Sequence, residues 1–200
     1  MKVLIACEYS GVSRRAFEAL GHDVWSADFE PAEDGAANHY QGDAFDLIGK
    51  QHFDLMVAHP PCTDIAVSGA AWFKEKIADG RQQAALDFVQ RLMDAPIERI
   101  AIENPVSVIS SKIRKPDQII QPWMFGHMEQ KATCLWLKKL PRLTETKNVK
   151  AEMMLLPKRE RERDCTTCHH HRRGGKKEVE PIQELRQRGR HNGAALSHND

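Results

Sequence analysis

The chain has 200 residues, of which 41% are hydrophobic and 28% charged, with five cysteines and a formal net charge of +1. This length suits one domain with a small appendage, and no stretch approaches the ~18 apolar residues of a membrane span. The odd number of cysteines, and a start too short for a signal peptide, argue against a disulfide framework and predict a cytoplasmic protein.

Charge is unevenly distributed along the chain. Residues 1–105 carry 9 Lys/Arg and 17 Asp/Glu, residues 106–150 carry 9 and 3, and residues 151–200 carry 11 and 8. The acidic first part does not indicate a polyanion partner, whereas the basic segment after residue 105 can meet phosphates. Charge alone leaves a solvated basic surface as the alternative.

The first thirty residues predict a strand, a turn, a helix and a second strand. Apolar runs indicate strands over residues 3–6 and 22–27, and helical apolar spacing covers residues 12–20 between them. Gly21 ends this helix in the usual C′ position. A unit of this kind is typical of nucleotide binding in α/β sheets.

Asp28 and Phe29 follow the second strand and predict a ligand contact there. A carboxylate at the tip of this strand can accept hydrogen bonds from both ribose hydroxyls, and an aromatic ring after it can lie against a purine. The preceding turn, residues 7–11, is not G-x-G-x-x-G, so it gives little support for a pyrophosphate site. A ligand without phosphates fits this sequence better.

The next strand ends at two prolines and a cysteine. After a loop over 30–41 and a short helix over 44–48, the apolar run 53–58 predicts a buried strand. Pro60 has no N–H and a fixed φ, so the chain leaves the sheet there. Cys62 therefore lies just past the carboxyl end of a strand, where open α/β sheets bind ligands, and is a candidate nucleophile. The alternative for this cysteine is a small buried apolar role.

The same construction recurs later in the chain. A long loop over 63–80 and an amphipathic helix over 82–93 lead to a buried strand over 99–102, which ends at Glu103-Asn104-Pro105. If the two strands are parallel neighbours, their ends bring Cys62 and Glu103 to the same edge of the sheet. A helix cap or an exposed loop acid is the alternative role for the glutamate.

The last sixty residues contain a candidate zinc site. Residues 141–160 are linker-like, with prolines around charged and Met-rich sequence. A Cys-x-x-Cys with adjacent histidines then resembles half of a zinc site, and a structural zinc there would fold a small knuckle that contacts nucleic acid. A basic tail with chance cysteines and histidines is the alternative. The candidate ligands are Cys165, Cys168, His169, His171 and His191.

Pro60-Pro61-Cys62 followed by Glu103-Asn104-Pro105 resembles the cytosine-C5 DNA methyltransferases. In that family the catalytic strand ends in Pro-Cys, and a later strand ends in Glu-Asn followed by Val or Pro. The whole chain is closer still to the small phage and prophage members. The resemblance implies a Rossmann-like, doubly wound, mostly parallel α/β sheet, the S-adenosylmethionine-dependent methyltransferase fold. It implies a catalytic domain over residues 1–140 and a basic, irregular C-terminal extension over 141–200.

The resemblance also implies roles for individual residues. The catalytic pair would be Cys62 and Glu103. S-adenosylmethionine would contact the first turn, the acid and aromatic after the second strand, the acid before the short helix, and the proline before the cysteine: Glu8, Ser10, Gly11, Asp28, Phe29, Asp43 and Pro61. The substrate would contact Asn104, Lys131 and Thr133.

Three features depart from the family pattern. The turn over residues 7–11 is less glycine-rich than in the family. The family's Gln-x-Arg-x-Arg strand is matched loosely by residues 130–137, with Lys131 and Thr133 at the two basic positions. Finally, only 60 residues follow residue 140, in place of a large target-recognition region.

The implied activity is transfer of a methyl group from S-adenosylmethionine to cytosine C5 in DNA, through a covalent Cys62 adduct. One alternative keeps this chemistry but changes the substrate to RNA or a free nucleotide, or the donor to a non-methyl sulfonium compound. A second alternative is a catalytically degenerate fold that serves as a binding or regulatory module. No membrane and no obligate protein partner are expected.

Overall fold

The computed structural model describes residues 1–161. The predicted zinc ligands Cys165, Cys168, His169 and His171 lie outside the described residues, as does His191. The chain divides into two units, Met1–Arg163 and Asp164–Asp200, so the first unit runs past the predicted boundary at residue 140.

Seven strands form one sheet in the order β3-β2-β1-β4-β5-β7-β6. Strands β1 to β5 pair in parallel, and β7 is antiparallel to both of its neighbours. The strands are β1 (Lys2–Ala6), β2 (Asp23–Asp28), β3 (His39–Gln41), β4 (Leu55–Ala58), β5 (Arg99–Pro105), β6 (Gln118–Ile120) and β7 (Thr133–Lys138).

Seven α-helices and two 3₁₀ helices connect these strands within residues 1–161. The 3₁₀ helices span Val67–Trp72 and Pro122–Met124. The α-helices are α1 (Val12–Ala19), α2 (Ala44–Ile48), α3 (Phe73–Ala78), α4 (Arg81–Met93), α5 (Ile109–Lys112), α6 (Lys150–Met154) and α7 (Lys158–Arg161). None of these helices is long and apolar enough to cross a bilayer.

The central strand β1 is buried on both faces of the sheet. Val3 and Ile5 pack into one apolar cluster, whereas Leu4 and Ala6 pack into the other. A strand covered on both faces has a continuous apolar run in place of alternation, which is why residues 3–6 are all apolar. The predicted Rossmann-like, doubly wound, mostly parallel sheet is confirmed.

The edge strands β3 and β6 were not predicted, β2 and β4 differ from their predicted bounds by one or two residues, and β5 is longer than predicted. The predicted loop over 30–41 contains the edge strand β3, which pairs with β2 through only three residues. Strand β5 continues past residue 102 to Pro105, because antiparallel β7 supplies partners for its last residues. Glu103 and Asn104 are therefore inside the strand, opposite Leu135 and Cys134.

Most of residues 141–160 are exposed, as in a linker, but this segment contacts the rest of the first unit through α6. Val149 and Met153 are buried, and they lie four residues apart at the start of and within α6. The N–H of Val149 donates to the Trp123 carbonyl at 2.9 Å, which joins α6 to the segment after β6. Through α6, this segment therefore belongs to the first unit.

Candidate active site

The carboxyl ends of β1 to β5 lie along one edge of the sheet, because these strands are parallel and paired in register. Ala6 is level with Ala27 on one side and Ala58 on the other, and Ala58 is level with Ile102. Open α/β sheets bind ligands at this edge. The predicted catalytic and cofactor-binding residues follow or extend these ends: Glu8, Ser10, Gly11, Asp28, Phe29, Asp43, Pro61, Cys62 and Glu103.

Cys62 lies in the turn that follows β4. Its main-chain carbonyl accepts hydrogen bonds from the N–H groups of Ile65 at 3.2 Å and Ala66 at 2.8 Å, which close the turn. Pro60 is buried, Pro61 is exposed, and Cys62 is half-buried. The thiol is therefore held at the carboxyl edge without being sealed into the core.

The end of β5 holds this turn in place. The Asn104 side chain, only 1% exposed, donates a hydrogen bond to the Pro60 carbonyl at 2.9 Å. Beyond it, Ala66 forms an antiparallel bridge with Ser107. The Asn104 side chain was predicted to contact substrate, but its NH₂ group is hydrogen-bonded to the backbone of the turn that carries Cys62.

Glu103 extends from the same edge and contacts a histidine. His59 Nδ1 lies 3.2 Å from Glu103 Oε2, and both side chains keep about a third of their surface accessible, at 30% and 29%. On the neighbouring strand β7, burial and then the Glu103 carboxylate raise the pKa of the Cys134 thiol. Glu103 therefore already has a hydrogen-bonding partner, His59, at the carboxyl edge of the sheet.

Glu8 occupies the N-terminus of α1. Its carboxylate oxygens accept hydrogen bonds from the N–H groups of Ser13 at 2.6 Å and Arg14 at 3.1 Å, and the residue is 6% exposed. In dinucleotide-binding proteins the equivalent amide groups bind a pyrophosphate. Here the chain's own carboxylate fills that position, which excludes a phosphate at the start of α1.

Ser10 and Gly11 shape the turn between Glu8 and the helix. The Ser10 hydroxyl accepts a hydrogen bond from the Val12 N–H at 3.4 Å. Gly11 has a φ of 71°, a left-handed conformation that favours glycine, and it is the N-cap residue of α1. These two residues bring the backbone around without a bulky side chain at the carboxyl edge.

Asp28, Asp43 and Cys7 converge at the ends of β1 and β2. Burial raises the pKa of Asp28, partly offset by main-chain N–H donors such as that of Glu30. Burial also raises the pKa of the Cys7 thiol, and the carboxylates of Asp28 and Asp43 raise it further, so both acids face the same point. Asp43 additionally caps α2 by accepting from the Phe45 N–H at 3.0 Å.

Phe29 is an exposed aromatic beside these acids, with 55% of its surface accessible. Two carboxylates, an exposed ring and a turn without phosphate-binding capacity match the donors and acceptors of a nucleoside. A positively charged group would be favoured between the acids. The residues therefore fit S-adenosylmethionine, which carries a ribose, an adenine and a cationic sulfur.

The predicted substrate residues Lys131 and Thr133 lie at the start of β7. Thr133 is level with Pro105, the last residue of β5, so it is close to the Glu103 end of that strand. The Lys131 N–H donates to Gln121 Oε1 at 2.9 Å, which anchors the backbone before the strand. Their roles toward a substrate remain predictions.

The described residues contain no group of three or more side chains that could hold a metal ion. The predicted zinc ligands are outside residues 1–161, so the zinc site remains a prediction.

Sequence reasoning missed two residues that support this edge. His59 directly follows β4 and precedes the two prolines, and it belongs to no recognisable motif. Lys76, on α3, is 7% exposed and its ammonium group donates to the Thr63 carbonyl and lies 3.6 Å from Asp64 Oδ1. A buried lysine thus clamps the loop that follows Cys62, in a region where no clear element could be predicted.

No protein-family model matches the chain, and no curated protein matches it. Among solved structures, it is similar to the crystal structure of an E. coli protein assigned as a DNA modification methyltransferase encoded within a prophage. The TM-score is 0.50 at 18% sequence identity, and the match covers 79% of this chain. The fold is Rossmann-like. The match covers 56% of that protein, so the present chain spans just over half of its length.

Proposed function

We propose that this protein transfers a methyl group from S-adenosylmethionine to C5 of cytosine in DNA, through a covalent adduct with Cys62. The proposal rests above all on the parallel pairing of β4 with β5. That pairing gives the turn bearing Cys62 and the Glu103 side chain a common edge, beside the acids Asp28 and Asp43. A thiol, a carboxyl group and a nucleoside-binding surface are the three parts that this reaction requires.

The cofactor part of the proposal rests on the first two strands. Asp28 would accept hydrogen bonds from the ribose hydroxyls, Phe29 would lie against the adenine, and Asp43 would face the base. Because Glu8 caps α1 internally, the site favours a nucleoside without phosphates. When bound, S-adenosylmethionine supplies a methyl group already activated by its cationic sulfur.

The substrate part of the proposal assigns the chemistry to Cys62 and Glu103. Cytosine C5 is a poor nucleophile because its electrons are delocalised in the ring. Addition of the Cys62 thiolate to C6 breaks that delocalisation, while a proton passes from Glu103 to N3 and leaves an enamine with a nucleophilic C5. Once C5 has taken the methyl group, its proton passes to solvent water, the Cys62–C6 bond breaks to return the thiolate, and the N3 proton returns to Glu103.

DNA is proposed as the substrate from surface features next to this edge. Trp72, in the loop after Cys62, is 64% exposed, and an exposed indole can stack on a base. Lys147 and Lys150 lie beside the segment after β6, where Lys150 stands 5.0 Å from the Trp123 ring. The prophage-encoded DNA methyltransferase with a similar fold supports the same substrate. In a duplex the target base must first leave the stack.

Two measurements separate the substrate alternatives and the binding-module alternative from this proposal. Purified protein is incubated with S-adenosylmethionine labelled in its methyl group and with duplex DNA, RNA or a cytidine nucleotide in parallel. We expect label in DNA cytosine with the wild type and none with Cys62→Ala. Label only in RNA or nucleotide would overturn the choice of DNA. Calorimetric titration with the cofactor tests the binding-module alternative, because a scaffold that has lost the site would bind none.

A further inference from the structure

His59 connects the cofactor side of the site to the catalytic acid. Its Nδ1 lies 3.2 Å from Glu103 Oε2 on β5, and its Nε2 lies 3.5 Å from the Ser13 hydroxyl in the first turn of α1. The main-chain N–H of His59 donates a hydrogen bond to the Ala6 carbonyl at 3.0 Å, which fixes the backbone that carries the ring. The imidazole thus lies between residues 46 positions before it and 44 positions after it in the chain.

These contacts allow two complete proton arrangements. In the first, the Ser13 hydroxyl donates to Nε2, and Nδ1–H donates to an ionised Glu103. In the second, Glu103 carries one more proton and donates it to Nδ1, while Nε2–H donates to Ser13 Oγ. The second arrangement has the protonated carboxyl group that the proposed reaction needs, and it interconverts with an imidazolium–carboxylate pair without gaining or losing a proton.

We infer that His59 is a positioning residue that holds the Glu103 carboxyl group toward the substrate and shares the proton that Glu103 delivers to cytosine N3. This inference rests on the proposed function. As the Cys62 sulfur bonds to C6, the N3–H bond forms and the proton leaves the His59–Glu103 pair. When the sulfur leaves C6, the N3 proton returns to the His59–Glu103 pair. The pair therefore ends with the same number of protons as it began with, and this transfer needs no other reactant.

The contacts among Ser13, His59 and Glu103 also resemble those of a Ser-His-Glu hydrolase triad, in which the histidine lies between the serine and the acid. Glu8 argues against that activity. A serine nucleophile needs N–H donors for the oxyanion, and the N–H groups of Ser13 and Arg14 are already bonded to the Glu8 carboxylate. A negative charge at that position would repel the developing oxyanion, so Ser13 acts here as a partner for the ring.

The groups that face this pair come from three elements. Ser13 faces His59 from α1, Glu103 faces it from β5, and the Cys134 thiol faces Glu103 from β7. Burial and the Glu103 carboxylate raise the pKa of Cys134, which keeps that thiol neutral beside the pair. Of these groups, His59 is the one that can exchange a proton with Glu103.

The test measures addition of Cys62 without methyl transfer. Tritium at cytosine C5 of DNA is released when the ring adds a thiolate and C5 exchanges its proton, so the assay omits S-adenosylmethionine. We expect His59→Ala to slow tritium release about 100-fold, the size of one general acid–base contribution. His59→Asn, whose side-chain amide oxygen can accept the hydrogen bond of a protonated Glu103 in place of Nδ1, should recover to within about tenfold of the wild type. Ser13→Ala should stay within about threefold, since it leaves the Glu103 contact intact.

Two results would overturn the inference: His59→Ala at the wild-type rate, or His59→Asn as slow as His59→Ala despite unchanged thermal unfolding. A loss with Ser13→Ala as large as that with His59→Ala would place the role of the ring at Ser13 and not at Glu103, and would also overturn the inference. If the wild type itself releases no tritium, the proposed function fails, and nitrogen NMR of the His59 ring then decides. The ring signals, identified by their loss in His59→Asn, should shift strongly in Glu103→Gln, and unchanged signals would refute the pairing.

Discussion

The side-chain amide of Asn104 donates a hydrogen bond to the main-chain carbonyl of Pro60, at 2.9 Å and out of contact with solvent. This bond joins the end of β5 to the turn that presents Cys62. It fixes the spacing between the strand that carries Glu103 and the turn that carries Cys62.

Asn104→Ala removes this link and leaves the buried Pro60 carbonyl without a donor. We expect the free energy of unfolding to fall by about 1–3 kcal/mol, the cost of an unsatisfied buried polar group. Urea unfolding measures the change. The control is Gln83→Ala, because Gln83 makes an exposed hydrogen bond to Asp87 and should cost no more than about 0.5 kcal/mol. Equal losses in the two variants would contradict the structural role of Asn104.

Cys62→Ala and Cys62→Ser should both bind S-adenosylmethionine and fail to methylate. A hydroxyl at this position is a far weaker nucleophile than a thiolate, and alanine has none. DNA that contains 5-fluorocytosine traps the adduct. Release of the enzyme requires loss of a proton from C5, and a fluorine atom at C5 cannot leave in that way. Intact-protein mass spectrometry should show this adduct in the wild type only. A Cys62→Ser variant that methylates DNA would show that Cys62 is not the nucleophile.

Gly11→Ala should destabilise the protein more than Gly80→Ala. Both glycines are left-handed N-cap residues, with φ of 71° and 79°, so both substitutions carry the same backbone cost of about 1–2 kcal/mol. A Cβ at Gly11 would lie 2.7 Å from the guanidinium of Arg14, which is buried and held by Asp34, whereas a Cβ at Gly80 meets nothing within 4 Å.

The difference between these two alanine variants in urea unfolding isolates the close approach at the first turn. We expect Gly11→Ala to lose a further ~1 kcal/mol, the size of a single hydrogen-bond contribution. The same variant should also bind S-adenosylmethionine more weakly. Equal stabilities would mean that the Arg14 side chain moves aside without cost.

Asp28→Asn should have opposite effects on stability and on cofactor binding. Burial raises the pKa of Asp28 in the folded protein, so the unfolded chain loses this proton at a lower pH than the folded protein does. Stability therefore falls as the pH rises through the interval between the two pKa values. Asparagine avoids this loss, so the variant should be more stable than the wild type at neutral pH and lose that advantage at low pH.

The same substitution removes the charged group that we propose as acceptor for the ribose hydroxyls. We expect affinity for S-adenosylmethionine to fall at least about tenfold, the effect of losing a hydrogen bond to a charged group. Thermal unfolding across the acid range and calorimetric titration provide the two measurements. A variant that is less stable at neutral pH, or that binds the cofactor as well as the wild type, would contradict the role given to Asp28.

Lys147→Gln combined with Lys150→Gln should weaken binding to duplex DNA. The slope of log affinity against log salt concentration is negative, and it should become shallower by about 0.9 for every phosphate that a lysine no longer neutralises. The control pair is Lys138→Gln with Lys139→Gln, because Lys138 is level with Ile100 at the opposite end of β5. If both pairs weaken binding equally, DNA does not dock at the carboxyl edge.

Local patterns predicted the elements that carry the site. The apolar run of β4, its two prolines and the helix α2 were all evident from the sequence, and α2 spans Ala44–Ile48 as expected. Strand β3 was missed because three residues at a sheet edge have no periodicity to read. The segment 141–160 is largely exposed, as the predicted linker would be, but the burial of Met153 was missed because it depends on residues before β7 that a local window does not include.

Contacts between distant residues could not be predicted. Motifs indicated a candidate pair in Cys62 and Glu103, but not the histidine beside Glu103, because the two residues are 44 positions apart. Glu8 was expected to contact the cofactor, and its bonds to the start of α1 depend on how the helix is oriented, which local sequence does not specify. The antiparallel insertion of β7 extends β5 to include Glu103, and strand order is a property of the assembled sheet.

The most direct test of the covalent cytosine reaction is nucleoside mass spectrometry of DNA from cells that express the protein. Cells with the wild type should contain 5-methylcytosine in DNA above the level of cells with Cys62→Ala or Glu103→Gln. Equal levels of 5-methylcytosine in the wild type and in Cys62→Ala would contradict the account.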